Sequence, residues 1–364
     1  MCPRFVCAAC PRRRSYSREG GEDALERVAV ALSGGVDSTA AAVILQEEGY
    51  RVFAVTMRVT DDPVVSAAEV AGALGIEHHV FDLREEFRAA VVEPFIAAYC
   101  AGRTPNPCVV CNPRIKFGAL MRRARELGAR WFATGHYARV WRDAVTGRCL
   151  LARGCDRKKD QGYVLYHLAQ EQLRHLLFPL GTKTKAEARE IVRRRGLRVT
   201  ERESQEICFI PEGDYRRFLR QAVGEARPGP LVDVEGKVIG RHRGLAYYTV
   251  GQRRGLGVAA GRPLYVLALD PARNAVVVGP EDLLYRDQCI VGETNFIPFD
   301  RLEKSLAVTV KIRYTAPDKP AVISPAGEGR VAVRFAAPER AVTPGQAAVF
   351  YQGELVVGGG TILE

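Results

Sequence analysis

From Arg27 onward the chain alternates short apolar runs with longer amphipathic ones. "RVAVAL" is uninterrupted and apolar, as a strand buried on both faces must be, and "STAAAVILQEEG" follows as a helix stopped by Gly49. "YRVFAVTM" predicts a second strand and "SAAEVAGALG" a second helix, stopped by Gly75. "IEHHVFDL" reads as a strand, "REEFRAAVVEPFIAAYC" and "IKFGALMRRARELG" as helices, and "ARWFAT" as a further strand. This β-α-β-α-β order predicts an α/β fold, a doubly wound parallel sheet with right-handed crossovers. Ligands of such sheets sit at the carboxyl ends of the strands.

The pattern changes twice further on. From about Gly181 to Leu219 it predicts more helix, strongly basic, and the Pro/Gly cluster "ARPGPLVD" then marks a boundary. Beyond it come Gly-punctuated segments of strand character: "KVIGRHRG", "LAYYTVGQRRGLG", "PLYVLALD" and "NAVVVG". From about Arg286 the runs "LAVTVKIRY", "RVAVRF", "QAAVFYQ" and "ELVVGGG" have the spacing of a small β-barrel. The resulting division is an Arg-rich leader without a fold of its own over 1–26, an α/β domain over 27–222, a central linking domain over 223–284, and a barrel over 285–364.

Length and composition agree with several packed cores, at 364 residues and 47% hydrophobic. No apolar run approaches the roughly 18 residues of a membrane span, and "MCPRFVCAACPRRRSYSREGG" lacks the hydrophobic segment of a secretory signal, so a cytoplasmic protein with no membrane partner is expected. The formal net charge of +11 recurs as clusters in "PRRRSYSR", "MRRARELGAR", "REIVRRRGLR" and "GQRRG". A surface of that kind attracts polyanions such as RNA through counterion release, although a solvated Arg-rich face has the same composition. The ten cysteines do not form a disulfide framework in so large a chain. Cys100, Cys149, Cys155 and Cys289 are expected as small buried hydrophobes; Cys2, Cys7 and Cys10 fall in the leader.

Chemistry concentrates first in "ALSGGVDST", Ala31 to Thr39, at a strand-to-helix junction. Gly34 and Gly35 let backbone approach a ligand closely, the first N–H groups of the helix point outward, and Ser33 and Ser38 add hydroxyl donors. This is an anion cradle, but not a Walker A loop, whose lysine is missing. The string resembles the PP-loop of the N-type ATP pyrophosphatases. That resemblance implies binding of the pyrophosphate of Mg2+-ATP and attack of a substrate oxygen on the α-phosphate to give an adenylate.

The substrate class follows from seven further strings in register: "GRTPNPCVVCNPRIKF", "ATGHYAR", "DRKKDQGYVLY", "SQEICFI", "PGPLVDVEGKVIGRHRGLAYYTVGQRRGLG", "VKIRYTAP" and "VTPGQAAVFY". In that order they resemble the tRNA-specific 2-thiouridylases over nearly all of Arg27 to Glu364. The resemblance implies a sulfurtransferase that makes 2-thiouridine at the wobble position of tRNA, with Lys, Glu and Gln tRNAs as partners and a cysteine desulfurase or sulfur carrier as donor. Carried over residue by residue, it implies that Ala31, Leu32, Ser33, Gly34, Gly35, Val36, Asp37 and Ser38 hold ATP phosphates while Met57 and Gly135 flank the nucleotide. Asn106, Pro107 and Cys108 match the segment at the target base; His136, Lys159, Asp160, Gln161, Arg313, Tyr314 and Gln346 match tRNA-contacting positions. These are residue types suited to a base edge and an RNA backbone.

Exchanging the C2 oxygen of uridine for sulfur needs a better leaving group, which adenylation supplies, and a sulfur nucleophile, whose active form is the thiolate. Arg114 and Lys116 are placed in sequence to favour that form at Cys111. The resemblance implies Cys111 as nucleophile and Cys208 as carrier of the sulfur in a persulfide. Attack of Cys111 would release sulfide and leave a Cys111–Cys208 disulfide to be reduced later. The better-known family pattern has Asp where this chain has Cys108. Three cysteines, Cys108, Cys111 and Cys208, are also the donor set of a [4Fe–4S] cluster with one open iron, a second route to the same product. Other readings of the cradle are an amide-forming PP-loop ligase, which has no use for the cysteines, and a tRNA-binding module without catalysis.

Overall fold

The computed structural model describes residues 26–60, 62–200, 207–210, 213–224, 226–258 and 261–364. Cys2, Cys7, Cys10 and the start of "SQEICFI" lie outside them.

The first domain is built on the parallel sheet that the apolar runs predict. β1 (Arg27–Ala31) leads through α1 (Val36–Glu47) to β2 (Arg51–Arg58), and α2 (Asp62–Leu74) leads to β3 (His78–Asp82). The chain then crosses to the other side of β1. It passes through α3 (Arg84–Phe87), a π-helical stretch (Arg88–Val92), α4 (Glu93–Cys100), α5 (Pro107–Cys111), a second π-helical stretch (Asn112–Leu120) and α6 (Met121–Glu126) before β4 (Trp131–Ala133). The strand order is β3-β2-β1-β4-β7, all parallel, with β7 (Leu176–Leu177) at the edge. The order reverses between β1 and β4, so the crevice at their carboxyl ends is where such a sheet binds ligands.

Between β4 and β7 lies a hairpin that the sequence pattern did not separate out. β5 (Ala138–Arg142) and β6 (Cys149–Arg153) are antiparallel and belong to a different sheet. α7 (Gln170–Leu173) precedes β7, and α8 (Lys185–Arg194) packs on α1 through Ala188, Ile191 and Val192 against Val36, Ala40, Val43 and Ile44. The expected long helix from Gly181 to Leu219 is interrupted. Residues 195–199 are not helical, and Thr200 instead forms a parallel β-bridge with Gly35. Helix resumes at α9 (Tyr215–Val223), whose N-cap Asp214 accepts from the N–H groups of Arg216 and Arg217.

The central sheet contains β8 (Gly229–Val232), β9 (Val238–His242), β10 (Tyr265–Asp270) and β11 (Ala275–Gly279) in the order β10-β11-β8-β9. "LAYYTVGQRRGLG" is not a strand despite its aromatic and β-branched residues. Gly244, Gly251, Gly255 and Gly257 all take positive φ, which turns the segment after a single 3-10 turn at Leu245–Tyr247.

The last sheet contains β12 (Tyr285–Phe296), β13 (Leu306–Lys311), β14 (Lys319–Pro325), β15 (Val331–Arg340), β16 (Ala347–Gln352) and β17 (Leu355–Ile362). They run in the order β12-β15-β14-β13-β16-β17 and close through β12–β17 into a six-stranded barrel. The β5–β6 hairpin of the first domain continues the barrel sheet beyond β17, through Leu355 opposite Ala152. Val349, Tyr351 and Val356 of the barrel accordingly share one buried cluster with Leu151, Tyr163 and Phe117 of the first domain. No helix among the described residues is long and apolar enough to cross a membrane.

Candidate active site

The cradle forms where β1 ends. Gly34 takes φ +75° with its Cα against the backbone of Ser66, a place where a Cβ would stand 2.6 Å from a carbonyl carbon, so only glycine fits. Ser38 Oγ accepts from the Ser33 N–H and lies 3.2 Å from Ser33 Oγ. Thr200 closes the outer side, its N–H and hydroxyl both donating to the Gly34 carbonyl at 3.0 and 3.2 Å. Leu32, Val36 and Ser38 are buried, Ala31, Gly35 and Asp37 half-buried, and Ser33 is exposed. Across the switch point Gly135 follows β4 with no room for a side chain: a Cβ there would lie 2.6 Å from the Asp37 carbonyl carbon and 2.8 Å from the Ser38 nitrogen. Met57, near the end of β2, is half-buried against the core cluster. The cradle residues and Gly135 therefore meet at one crevice, while Met57 stands near the end of the neighbouring strand.

His136 connects this crevice to the cysteines. It is buried between Phe117 and Phe178, and its Nδ1 is 2.7 Å from Thr134 Oγ1. Burial pushes its pKa well below the usual imidazole range, and nearby Lys116 adds to that, so the ring is neutral.

The cysteine helix is fixed by its first residues. Asn106 caps α5, its side chain accepting from the Cys108 N–H at 3.2 Å, and Pro107 stands at the first helical position, where its missing N–H costs nothing. Pro113 interrupts the regular bonding pattern further on, and the helix widens into a π-helical stretch. Gln172 Nε2 donates to the carbonyls of Pro113 and Phe117, at 2.8 and 3.0 Å. The barrel holds the same segment from the other side: Gln346 Nε2 donates to the Thr104 carbonyl at 2.8 Å, and the Thr104 N–H to Pro344 at 2.9 Å.

Cys108, Cys111 and Cys208 converge from residues a hundred positions apart. Each is a free thiol. Cys108 and Cys208 reach solvent while closely surrounded by protein, and Cys111 is half-buried. Burial dominates their electrostatics and pushes the Cys111 thiol up to about 12, with Cys208 and Cys108 adding to the rise. Lys116 opposes it, as it does at Cys108 and Cys208, whose thiols burial also raises. The expectation that Arg114 and Lys116 favour the thiolate is thus corrected. Lys116 has the expected sign but is outweighed by desolvation, and exposed Arg114 acts on His167 instead. Among the described residues no set of three or more His, Cys, Asp or Glu side chains is gathered to hold a metal ion, so the three thiols as placed do not make a cluster ligand set.

The remaining expected residues divide into two groups. Burial pushes the Tyr314 hydroxyl up, with Asp160 and then Cys108 adding to the rise, and its ring meets Tyr163 edge-on. Arg313 donates to the Arg340 carbonyl at 3.1 Å. Lys159 is half-buried in the turn after β6. Gln161 and Asp160 work internally. Gln161 Oε1 accepts from the Tyr137 N–H at 3.0 Å, and buried Asp160 accepts from Gly154, Gly162 and Arg153. Arg153 is itself buried, lies 3.4 Å above the Tyr351 ring, and also pairs with Asp318 of the barrel. Cys149 and Cys289 are buried as expected. Cys100 and Cys155 are exposed, because one ends α4 and the other lies in the turn after β6.

Comparison with known proteins follows the same three-part division. Residues 26–212 match a family described as tRNA methyl transferase HUP domain, 216–280 a tRNA methyl transferase PRC-barrel domain, and 286–362 an aminomethyltransferase beta-barrel domain. The tRNA-specific 2-thiouridylase MnmA of Moorella thermoacetica is 51% identical over 350 residues, covering 92% of this chain and 98% of its own. Its counterpart in Heliobacterium modesticaldum is 50% identical over 356 residues, covering 93% and 92%. Among solved structures, the U34-tRNA thiolase NcsA from Methanococcus maripaludis with its [4Fe-4S] cluster is 18% identical with a TM-score of 0.34, over 56% of this chain and 66% of that one. A 4-thiouridine synthetase in complex with RNA and bound ATP has the same identity and TM-score over 47% and 41%. Likenesses so remote carry no weight for the chemistry.

Proposed function

Because this chain belongs to the tRNA-specific 2-thiouridylase family, we propose that it is a tRNA-uridine 2-sulfurtransferase, activating C2 of a wobble uridine with Mg-ATP and then replacing its oxygen with sulfur. The observation that carries this reading is the adjacency of two sites. The anion cradle at the end of β1 abuts Gly135, and the next residue, His136, shares the Lys116 field with Cys108, Cys111 and Cys208.

The chemistry divides between them. The uridine O2 attacks the α-phosphorus, the bond to the β-phosphate breaks, and pyrophosphate leaves from the cradle. Cys208 carries the sulfur as a persulfide. Cys111 attacks its inner sulfur, sulfide displaces AMP from C2, and the Cys111–Cys208 disulfide formed is returned to two thiols by an external dithiol reductant. Cys111 must lose a proton for this, and burial opposes it in the free protein. Asn106, Pro107 and Tyr314 stand beside the cysteines as the surface for the target base. The barrel and the basic faces supply backbone contacts for Lys, Glu and Gln tRNAs, and a cysteine desulfurase or sulfur carrier loads Cys208 in the cytoplasm.

Incubation with tRNA, Mg-ATP and a sulfur donor tests the reading. AMP and 2-thiouridine should appear together, and Cys111→Ser or Cys208→Ser should abolish the thiolated base. AMP formation without 2-thiouridine, unaffected by those substitutions, would instead identify an amide-forming ligase. A [4Fe–4S] cluster is a second reading, suggested by cysteine at position 108, and it requires Cys108, Cys111 and Cys208 to draw closer together than they stand here. Full thiolation by iron-free protein, unchanged in Cys108→Ala, would eliminate it.

A further inference from the structure

The cysteine helix is held at both ends by one short turn. Residues Gly162–Val164 form a single 3-10 turn between β6 and α7, and all three are buried. The Val164 carbonyl accepts from Nδ2 of Asn112, the residue after Cys111, at 3.0 Å. Asn112 is only 3% exposed, so water does not compete for this bond.

Tyr163 serves the other end and is fully buried. Burial pushes its hydroxyl up, so the group stays protonated, and it donates to the Ala347 carbonyl of the barrel at 2.8 Å. The Asn106 side chain is close enough to hydrogen-bond to the same oxygen. Because Asn106 Oδ1 already accepts from the Cys108 N–H, its Nδ2 is the group left to donate to Tyr163. A flipped amide would lose both contacts, so the tyrosine selects the Asn106 orientation that caps α5. The barrel loop that receives the Tyr163 bond also presses on the residues before α5. Gly345 takes φ +91°, and a Cβ there would stand 2.9 Å from the Thr104 nitrogen.

We propose that Tyr163 and Asn112 are positioning residues for sulfur transfer, mounting the Cys108–Cys111 segment on the barrel so that Cys111 keeps the angle from which it reaches the Cys208 persulfide. The inference rests on the sulfurtransferase reading above. Neither residue touches substrate; each acts through the helix. An activated uridine that meets no sulfur is returned to uridine by water, which attacks C2, expels AMP and gives its proton to solvent. A loosened helix therefore wastes ATP rather than halting its use.

The ratio of AMP to 2-thiouridine made by the full-length protein with tRNA, Mg-ATP, a dithiol reductant and a cysteine desulfurase with cysteine tests the proposal. Tyr163→Phe, which removes one oxygen, should raise that ratio roughly twofold or more with the KM for ATP unchanged. Amide hydrogen exchange at Cys108 should quicken about fivefold, the size of a weakened cap. Asn112→Leu should raise the ratio in the same way and serves if Tyr163→Phe does not fold. Tyr351→Phe removes a buried hydroxyl of the same core that has no hydrogen-bond partner among the described residues, and should leave the ratio at the wild-type value. An unchanged ratio in Tyr163→Phe and Asn112→Leu, whether or not both products fall, overturns the proposal, because the turn would then only fill the core. If the wild type makes neither product, the sulfurtransferase reading itself fails, and exchange at Cys108 still tests the mount.

Discussion

The Cys111 thiol makes a measurable commitment about its own reactivity. Burial pushes it up to about 12, against the partial relief of Lys116. At pH 8 such a thiol is ionised in about one molecule in 10,000, whereas an unperturbed cysteine is ionised about one quarter of the time, a ratio of roughly 2,000. A more basic thiolate is a better nucleophile, and a Brønsted slope of about 0.45 over about 3.5 pKa units returns roughly 40-fold. The net expectation is alkylation by iodoacetamide roughly 60-fold slower than that of a model cysteine peptide at pH 8. The rate should climb tenfold per pH unit from 7 to 10, while the peptide levels off above about pH 8.5. Mass spectrometry of the modified peptide, with fragment ions separating Cys111 from Cys108, gives the profile. Lys116→Met should slow the reaction further. A Cys111 rate that matches the peptide, or levels off near pH 8.5, would refute the claim that desolvation outweighs the lysine.

Three other outcomes follow from the same geometry. Gly135→Ala drives a Cβ into the Asp37 and Ser38 backbone, so about 1–3 kcal/mol of stability should be lost in urea denaturation, and the displaced cradle should raise the KM for ATP in steady-state assays. Arg153→Met leaves Asp160 buried without its cation. Breaking such a pair costs about 3–5 kcal/mol, toward the lower end because Asp160 retains two N–H donors, and urea denaturation followed by circular dichroism should register it. Cys289, buried in the barrel, is also raised to about 12, so its contribution is fully present below the unfolded thiol pKa near 8.5 and is lost as pH rises from there toward 12. The denaturation midpoint should therefore fall between pH 9 and 11, and fall less in Cys289→Ala.

The parts legible in the sequence share a local cause. β1, β2 and the glycine cradle are written in contiguous residues, because a buried strand needs an apolar run and a close backbone approach needs glycine. Pairings between distant segments were not legible. The β5–β6 hairpin sits within the first domain's sequence, yet its partner strand is more than two hundred residues away. Tyr137 stands inside a quoted motif, but its role at Asp37 depends on the hydroxyl reaching across the switch point. The balance at Cys111 was misjudged because sequence displays neighbouring charges and conceals burial. Asp160 and Gln161 are expected from the sequence as tRNA-contacting positions, and that their side chains also brace Arg153 and Tyr137 is visible only in the folded chain.

β17 has a consequence for how the protein comes into being. It pairs with β16, closes the barrel on β12, and through Leu355 and the neighbouring Glu354 gives the first-domain hairpin its continuation, with Glu354 paired to both Arg139 and Arg157. The ribosome makes this strand long after the hairpin it continues. A nascent chain can complete the nucleotide cradle early, but its hairpin edge stays open until β17 emerges, leaving an exposed β-edge for proteases or other chains. Loss of Leu355–Ile362 would therefore damage the barrel and the first domain at once, and such a product would reach quality control before it reached RNA.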